Sequence, residues 1–300
     1  MMKIFYGISQ DNSIEVTDIC LDRLTINNII NIPCTESTRA TIFTDPYYGI
    51  LKYIYILNDG IFSTYDYDTH IKINLTNNTI ESMNSIDIDS KIKEIHSKLK
   101  INYGNFYEEL SEQKMVFRYL TGNEKVLEIG GNIGRNSLII ASILQNSNNL
   151  VTLESDINIE KQLTENRDLN NFNFHIENAA LSNRKLLQKG WDTIPSDILL
   201  EGYTWINTIT LANLQNKYNI DFDTLVLDCE GAFYYILLDM PEILNNINLI
   251  IMENDYWDII KKNYIDSVLT ENNFFKCYIE GGGWGPCANN FFEVWCKTNH

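Results

Sequence analysis

One stretch, residues 125–138 with the sequence KVLEIGGNIGRNSL, constrains the fold of this 300-residue chain most strongly. Its first half is a short apolar run that predicts a buried strand, and residues 136–144 predict an amphipathic or buried helix. Between them lie three glycines, which let backbone N–H groups and the positive end of the helix dipole approach a ligand closely. The stretch therefore predicts a strand, a tight loop and a helix N-terminus at which something polar binds.

Strands and helices alternate after residue 125, which is typical of a parallel sheet. The apolar strands VLEIG, LVTLES, FNFHIENAA, TLVLDCE and NLIIMEN are each followed by a predicted helix, the third after a long connection. These helices are predicted from residue 136 and over residues 158–170, 211–218, 232–245 and 257–270. The strands FFKCYIE and FFEVWCK flank the loop GGGWGPCANN, which favours an antiparallel hairpin. We therefore expect an α/β fold, a doubly wound seven-stranded sheet with a C-terminal antiparallel hairpin.

Residues 1–84 have a different pattern. Short β-branched and aromatic stretches, among them SIEVT, ATIF and IFSTY, alternate with Asp, Asn, Gly and Pro. This pattern predicts a small all-β domain, with helical sequence beginning near Ile86. The predicted domains are residues 1–84 and 85–300. A glycan-binding or assembly role for the first, including homo-oligomer formation through it, is left open.

The composition indicates a folded globular protein. It is 44% hydrophobic, and 23 basic against 40 acidic residues give a formal net charge of −17. Since nonspecific nucleic-acid affinity comes from Lys and Arg displacing counterions, we expect no nucleic-acid partner. The six cysteines form no C-x-x-C pair, no N-terminal stretch resembles a signal peptide, and no apolar run approaches the ~18 residues of a membrane helix. We expect a reducing, cytoplasmic setting and no membrane span.

The spacing of the glycine loop excludes two common phosphate-binding motifs. Neither the dinucleotide fingerprint G-x-G-x-x-G nor a Gly-Lys-Ser/Thr phosphate loop is present. Instead Glu128 precedes a G-x-x-x-G pattern at Gly130 and Gly134. This arrangement resembles the first motif of class I S-adenosylmethionine-dependent methyltransferases.

Polar residues at the carboxyl ends of the predicted parallel strands form the candidate site, because ligands bind beyond those ends. Glu154 ends the second strand, where a carboxylate can accept both hydroxyls of a ribose. The residues at the end of the third strand are suited to contact the edge and the face of an adenine ring. The predicted cofactor-binding residues are Glu128, Gly130, Gly131, Asn132, Gly134, Glu154, Ser155, Asn178, Ala179 and Asp228.

Five stretches in order resemble the motifs of the FkbM family of methyltransferases. They are EIGGNIGRNSL, NAALS, TITLANL, LVLDCEGAFYYIL and LIIMEND, and the similarity covers roughly residues 100–300. The family usually reads D-x-G-A-N-x-G, N-x-A-L-S and D-V-E-G-A-E. Here Glu128 replaces the usual Asp, Gly131 the usual Ala, and Phe233 stands where the family often has Glu. No role is carried over to position 233.

The resemblance implies S-adenosylmethionine as cofactor and methyl transfer to a hydroxyl of a sugar, glycan or related small molecule. A hydroxyl is a poor nucleophile at neutral pH, so a nearby base should help. No histidine is evidently placed at the fourth strand end, so we expect Asp228 to take the acceptor proton. Glu230 is expected to orient the acceptor or the cofactor amine. Helix capping and amine contact remain open as roles for both carboxylates.

Other readings of the sequence remain open. The chain could be a catalytically silent cofactor-binding module whose β-domain binds carbohydrate or mediates assembly. A nucleic-acid methyltransferase is disfavoured by the charge. Asp228, Glu230 and Glu253 supply three carboxylates, but their geometry is unknown and no metal is predicted. The loop 188–205 and the GGGWGP turn should overhang the same sheet edge. Their aromatic side chains could stack on a sugar ring or close the core, and we favour substrate contact.

Overall fold

In the computed structural model, which describes residues 2–298, the first part of the chain forms two four-stranded antiparallel sheets and two short helices. One sheet has the order β2-β1-β5-β6 and the other β3-β4-β7-β8. The elements are β1 (Lys3–Gly7), β2 (Ser13–Glu15), α1 (Thr17–Arg23), β3 (Thr25–Ile26), β4 (Ile29–Ile32), α2 (Glu36–Phe43), β5 (Tyr53–Asn58), β6 (Ile61–Tyr65), β7 (His70–Asn74) and β8 (Thr79–Met83).

The two helices correct the all-β prediction for residues 1–84. The ATIF stretch, predicted as a strand, is the second half of α2. On this helix the buried Arg39 donates hydrogen bonds to three backbone carbonyls, those of Pro33, Asp66 and Thr69, at 2.6–2.8 Å. Glu36 accepts from the Tyr6 hydroxyl at 2.9 Å. These tertiary contacts outweigh the local β propensity, which is a weak preference.

The remainder of the chain is an α/β unit. Its elements are α3 (Ser85–Lys98), α4 (Leu110–Tyr119), β9 (Val126–Ile129), α5 (Arg135–Ile143), β10 (Leu150–Leu153), α6 (Ile157–Leu169), β11 (His175–Glu177), β12 (Ala180–Leu181), β13 (Leu186–Lys189), β14 (Asp192–Pro195), β15 (Thr204–Ile206), β16 (Thr208–Ile209), α7 (Leu211–Tyr218), β17 (Thr224–Leu227), α8 (Ala232–Asp239), β18 (Leu249–Glu253), α9 (Ile259–Glu271), β19 (Phe274–Glu280) and β20 (Phe292–Lys297).

Seven strands form one mixed sheet in the order β11-β10-β9-β17-β18-β20-β19. The neighbours from β11 to β18 pair in parallel, whereas β20 is antiparallel to both β18 and β19. The predicted seven-stranded sheet with a C-terminal antiparallel hairpin is therefore confirmed.

Both faces of this sheet are covered, as a doubly wound fold requires. Successive strand residues point to opposite faces, so Val126 joins one hydrophobic core and Leu127 the other. The first core includes residues of α4 and α5, and the second includes residues of α7, α8 and α9. The carboxyl ends of the parallel strands consequently meet at one edge between the two layers.

Two local features differ from the sequence prediction. The helix predicted over residues 232–245 ends at Asp239, and a short 3₁₀ helix follows at Pro241–Leu244, because proline lacks the N–H that would continue the helix. The long connection after β12 contains an antiparallel three-stranded sheet in the order β14-β13-β15, here called the flap. The parallel pair of β12 and β16 closes the base of the flap.

The two parts of the chain share one continuous hydrophobic core. The His70 and Tyr119 rings lie 5.3 Å apart edge-on, and Lys72 Nζ donates to the Leu120 carbonyl at 3.3 Å. Asn84 caps helix α3 through a reciprocal hydrogen-bond pair with Asp87, so the predicted boundary coincides with a helix start. Separate folding of residues 1–84 stays a prediction.

Cys277 and Cys296, on adjoining strands of the C-terminal hairpin, form a disulfide that the cysteine spacing does not indicate. Disulfides persist mainly in oxidising compartments, so the expected reducing, cytoplasmic setting stays a prediction without support from this pair. Within residues 2–298, no helix has both the length and the apolar character needed to span a bilayer.

Candidate active site

A cavity of about 450 Å³ lies at the carboxyl ends of the parallel strands. The loops that follow β9, β10, β11, β17 and β18 line it, together with the flap, one side of α8 and the first turn of α9. This is the edge at which ligands bind in open α/β sheets. Of the predicted site residues, Gly130, Asn132, Glu154, Ser155, Ala179, Asp228 and Glu230 line the cavity.

The glycine loop joins β9 to α5 and needs its glycines for packing. Gly130 has a φ of +93°, and a Cβ there would lie 1.6 Å from the Asp228 carbonyl oxygen. A Cβ on Gly131 would lie 2.3 Å from Thr152 Oγ1, and one on Gly134 would lie 2.4 Å from a methyl group of Leu163. Gly131 and Gly134 are not among the lining residues. At these two positions the missing Cβ leaves room for side chains of β10 and α6 rather than for a ligand.

Glu128 lies inside the sheet rather than at the cavity. Its side chain is buried, and the Ser137 hydroxyl of α5 donates a hydrogen bond to it. Burial raises the pKa of Glu128 to about 8, although the Ser137 hydrogen bond opposes this shift. This hydrogen bond connects β9 to α5 beneath the glycine loop. A direct contact between Glu128 and a cofactor stays a prediction.

Glu154 is held by backbone groups at the end of β10. Its two carboxylate oxygens accept from the amides of Asn132, at 2.9 Å, and Asp156, at 2.8 Å. The residue is buried, and burial raises its pKa while these amides oppose the shift. Asn178 lies behind it and donates from Nδ2 to the Glu154 carbonyl at 2.9 Å. The structure thus brings the second and third strand ends together, as predicted.

Asp228 belongs to a group of carboxylates at the ends of β17 and β18. The carboxylate oxygens of Glu112, Asp228 and Glu253 all lie within 4.8 Å of one another, close enough to hold a metal ion jointly. Burial, followed by the charges of neighbouring carboxylates, raises the pKa of Asp228 well above its ordinary value. Glu230 is exposed and has a φ of +48°, and it is not part of this group.

Sequence reasoning missed Glu112, which comes from α4. On this helix it shares a face with the buried residues Met115, Val116 and Tyr119, at spacings of three, four and seven. A carboxylate on an otherwise apolar helix face is the signal that could have identified it.

The flap, α9 and the segments directly before them supply aromatic and basic side chains to the cavity. Trp191 of the flap and Trp257 before α9 line it and are 58% and 73% exposed. Trp205 and Trp284, expected at the same edge, are exposed but are not lining residues. Arg184 and Lys261 line the cavity as well, and neither was predicted from the sequence.

The three histidines within residues 2–298 lie away from the cavity. His70 is buried against Tyr119, His96 stacks on Phe106, and His175 on β11 lies 4.5 Å from the Tyr218 ring. His300 lies outside the described residues. None of the described histidines is among the lining residues, and the assignment of proton transfer to a carboxylate stays a prediction.

Comparisons with known proteins give low similarities. No family model and no curated protein matches this sequence. A ribosomal protein L11 methylase from Lactobacillus delbrueckii subsp. bulgaricus has a TM-score of 0.41 and 12% identity, covering 67% of this chain and 84% of that chain. An rRNA methylase from Streptococcus thermophilus has a TM-score of 0.40 and 10% identity, with coverage of 63% and 95%.

An O-methyltransferase from Bacillus cereus in complex with SAH has a TM-score of 0.39 and 14% identity, covering 70% of this chain and 90% of that chain. Similarities at this level do not assign an activity. The FkbM resemblance, the acceptor and the expected absence of a nucleic-acid partner therefore stay predictions.

Proposed function

We propose that this chain is an S-adenosylmethionine-dependent O-methyltransferase that acts on a hydroxyl of a sugar, glycan or related small molecule. The observation that carries the proposal is Glu154, a buried carboxylate that lines the cavity beside the glycine loop. Backbone amides occupy part of its hydrogen-bonding capacity, and the remaining lone pairs can accept two ribose hydroxyls.

The residues around the cavity fit this cofactor. The cavity volume of about 450 Å³ is within the usual range for small-molecule sites. Ser155 and Ala179 would contact the nucleoside, and Gly130 and Asn132 the methionine part. Asp228 lies across the loop from Glu154 and would complement the positive charge of the cofactor. When bound, S-adenosylmethionine supplies a methyl group that passes to the acceptor oxygen as the C–S bond breaks.

Asp228 is the proposed base. Its raised pKa makes the ionised carboxylate a better proton acceptor than an ordinary Asp. The acceptor hydroxyl would lose its proton to Asp228, directly or through one water, while the oxygen bonds to the methyl carbon. Glu230, exposed at the cavity rim, would orient the acceptor or the cofactor amine.

Aromatic side chains support a sugar as the acceptor. Trp191 and Trp257 present exposed rings at the cavity, and such rings pack against the apolar faces of sugars. The net charge of −17 opposes a polyanionic acceptor such as RNA. These two observations favour a glycan over a nucleic acid.

Methyl transfer from isotopically labelled S-adenosylmethionine to a panel of sugars, oligosaccharides and RNA tests the proposal. A labelled sugar product, located by mass spectrometry, is the expected result. Cofactor binding without transfer to any acceptor would instead favour the catalytically silent module. Labelled RNA with unlabelled sugars would overturn the proposed acceptor class.

A matched pair of variants tests the cofactor placement. Glu154→Ala should weaken S-adenosylhomocysteine binding roughly tenfold to a hundredfold, since a charge-assisted contact contributes about 1.5–3 kcal/mol. Glu154→Gln keeps the shape and one acceptor oxygen, so its loss should be smaller. Titration calorimetry measures both affinities, and wild-type binding by Glu154→Ala would refute this placement.

A further inference from the structure

We propose that the acceptor carries an anionic group, a carboxylate or a phosphate, and that Lys261 and Tyr235 bind it. This inference rests on the proposed function, because it assumes that the part of the cavity away from Glu154 holds the acceptor. It adds the chemical class of the acceptor, which the aromatic rings alone do not define.

Within the described residues, two basic side chains line the cavity, and they differ in their partners. Arg184 is neutralised by Asp239, which accepts from its Nε and Nη2 atoms at 2.5 and 2.6 Å. Lys261 Nζ donates to the Tyr235 hydroxyl at 3.0 Å, and no described carboxylate lies within ion-pair distance of it. Lys261 is therefore the cation that remains free to pair with a ligand.

The Lys261 side chain is held in position by tyrosine rings. Its Nζ lies 4.8 Å from the ring centre of Tyr235 and 5.6 Å from that of Tyr234. Tyr234 in turn packs edge-on against Tyr264, at 5.2 Å between ring centres. A cation already ordered by such contacts loses less conformational entropy when it binds an anion.

Tyr235 supplies a second donor at the same place. Its hydroxyl oxygen accepts from Lys261, so its own hydrogen is left to donate. The ammonium group retains further N–H groups that the tyrosine does not use. Two donors side by side, one of them charged, match the two oxygens of a carboxylate or of a phosphate.

The carboxylates of the cavity determine how an anionic acceptor would be oriented in it. Asp228, Glu230 and Asp255 line the end at which the methyl group would be transferred, and they repel an anion there. Asp192, Asp239 and Asp258 also line the cavity, and each has a partner: Asp192 accepts from the Tyr203 hydroxyl, Asp239 is paired with Arg184, and Asp258 accepts from the amide of Ile260 at 3.0 Å. A single anionic group is therefore attracted to Lys261 and excluded from the carboxylate end, whereas a polyanion is repelled as a whole.

Sugar binding by the full chain, with and without S-adenosylhomocysteine, tests the inference. The probes are glucuronate, a hexose phosphate and glucose, and their dissociation constants are measured by NMR titration. At least one anionic sugar should bind wild-type protein about tenfold or more tightly than glucose, and the stronger of the two identifies carboxylate or phosphate as the preferred group. Lys261→Gln should abolish this preference, and Lys261→Arg should retain part of it.

Lys161→Gln is the matched control, because Lys161 is exposed on α6 away from the cavity and the charge change is the same. Its preference for the anionic sugar should equal that of the wild type. Equal binding of glucose and both anionic sugars, or a preference that survives in Lys261→Gln, would overturn the inference. So would a loss of S-adenosylhomocysteine affinity in Lys261→Gln, which would assign Lys261 to the cofactor.

A parallel titration of wild-type protein with S-adenosylhomocysteine separates the two proposals. Failure of that titration counts against the methyltransferase assignment, while the sugar titrations on cofactor-free protein still report on Lys261. A thermal unfolding curve for Lys261→Gln checks that the variant is folded.

Discussion

Asp228 combines a raised pKa with a position at the junction of two strand ends. Asp228→Asn preserves its shape and removes the proton acceptor, so we expect turnover to fall by roughly 10²- to 10⁴-fold. Affinity for S-adenosylhomocysteine should change little. Turnover is measured on the acceptor identified by the labelled-methyl assay, and affinity by calorimetry.

The same experiment discriminates between the roles of Asp228. Undiminished turnover would show that the acceptor loses its proton elsewhere or that alignment alone suffices. A collapse of cofactor binding would make Asp228 a binding residue. Because burial raises its pKa, wild-type turnover should also rise with pH as the carboxyl ionises, and Asp228→Asn should lose this dependence.

His70 should make the stability of the fold sensitive to acid. Burial, together with the charges of Lys72, Arg118 and Arg39, lowers its pKa well below the usual value of about 6.5. The unfolded chain then binds a proton that the folded chain excludes. This contribution to stability is complete above about pH 6.5 and is lost as pH falls from there toward the folded-state pKa, by at most about 1.4 kcal/mol per pH unit.

Chemical denaturation across this pH range measures the effect, with His70→Phe as the comparison. As the pH is lowered from about 6.5, the free energy of unfolding should fall more for the wild type than for the variant. Parallel pH profiles for the two proteins would contradict the prediction, since other titrating groups are common to both.

At the scale of elements, the glycine loop is packed tightly against α6 and β10. A Cβ at position 131 would lie 2.3 Å from Thr152 Oγ1 and 3.2 Å from Leu163 Cδ2. Gly131→Ala should therefore lower the free energy of unfolding by about 1–3 kcal/mol. Denaturant titration measures the loss.

A second substitution isolates the contact with Thr152. Thr152→Ala removes the Oγ1 atom, so the double variant should lose less stability than the sum of the two single variants. Additive losses would indicate that Leu163 or the loop backbone, rather than Thr152, limits the space at position 131.

Elements with a strong periodic pattern were predictable from the sequence. Helix α7 and strand β19 have the predicted bounds, and α6 begins and ends one residue earlier than predicted. The flap and α2 were not predicted from the sequence. Their short stretches have little periodicity, and α2 is held by contacts with residues distant in sequence, such as those of Arg39 with the Asp66 and Thr69 carbonyls.

The site residues were predictable where they directly follow a strand of the parallel sheet. Glu154, Ser155, Ala179 and Asp228 come immediately after strands, and parallel pairing brings these ends to one edge. Glu112 and Lys261 come from helices, and their approach to the site depends on how those helices pack on the sheet. The apolar face around Glu112 indicates that this residue is buried, but no local pattern tells which strand end either helix packs against.

At the scale of the whole molecule, the sheets of residues 1–84 pack on the α/β part of the chain. Tyr119 and Tyr278 are fully buried in the core that both parts share. A chain beginning at Ser85 should still bind S-adenosylhomocysteine, because the cavity lies entirely in the second part. It should also melt at a lower temperature than the full chain, because part of its apolar surface becomes exposed.

Calorimetric titration and thermal unfolding of the shortened and full chains test this expectation together. Equal melting temperatures would show that the shared core contributes little. An unfolded shortened chain would show that residues 85–300 do not form an independent domain.

The contact between Gly130 and Asp228 links the shape of the glycine loop to the position of the proposed base. The Asp228 carbonyl oxygen occupies the space that any larger side chain at position 130 would need, so a substitution there displaces the strand end that carries the proposed base. In evolutionary terms the two positions are epistatic, and a loop reshaped for another cofactor would also misplace the proton acceptor. The flap lines the cavity and is free of this constraint. New acceptor preferences can therefore arise there, while the junction of β9 and β17 is inherited as a single unit.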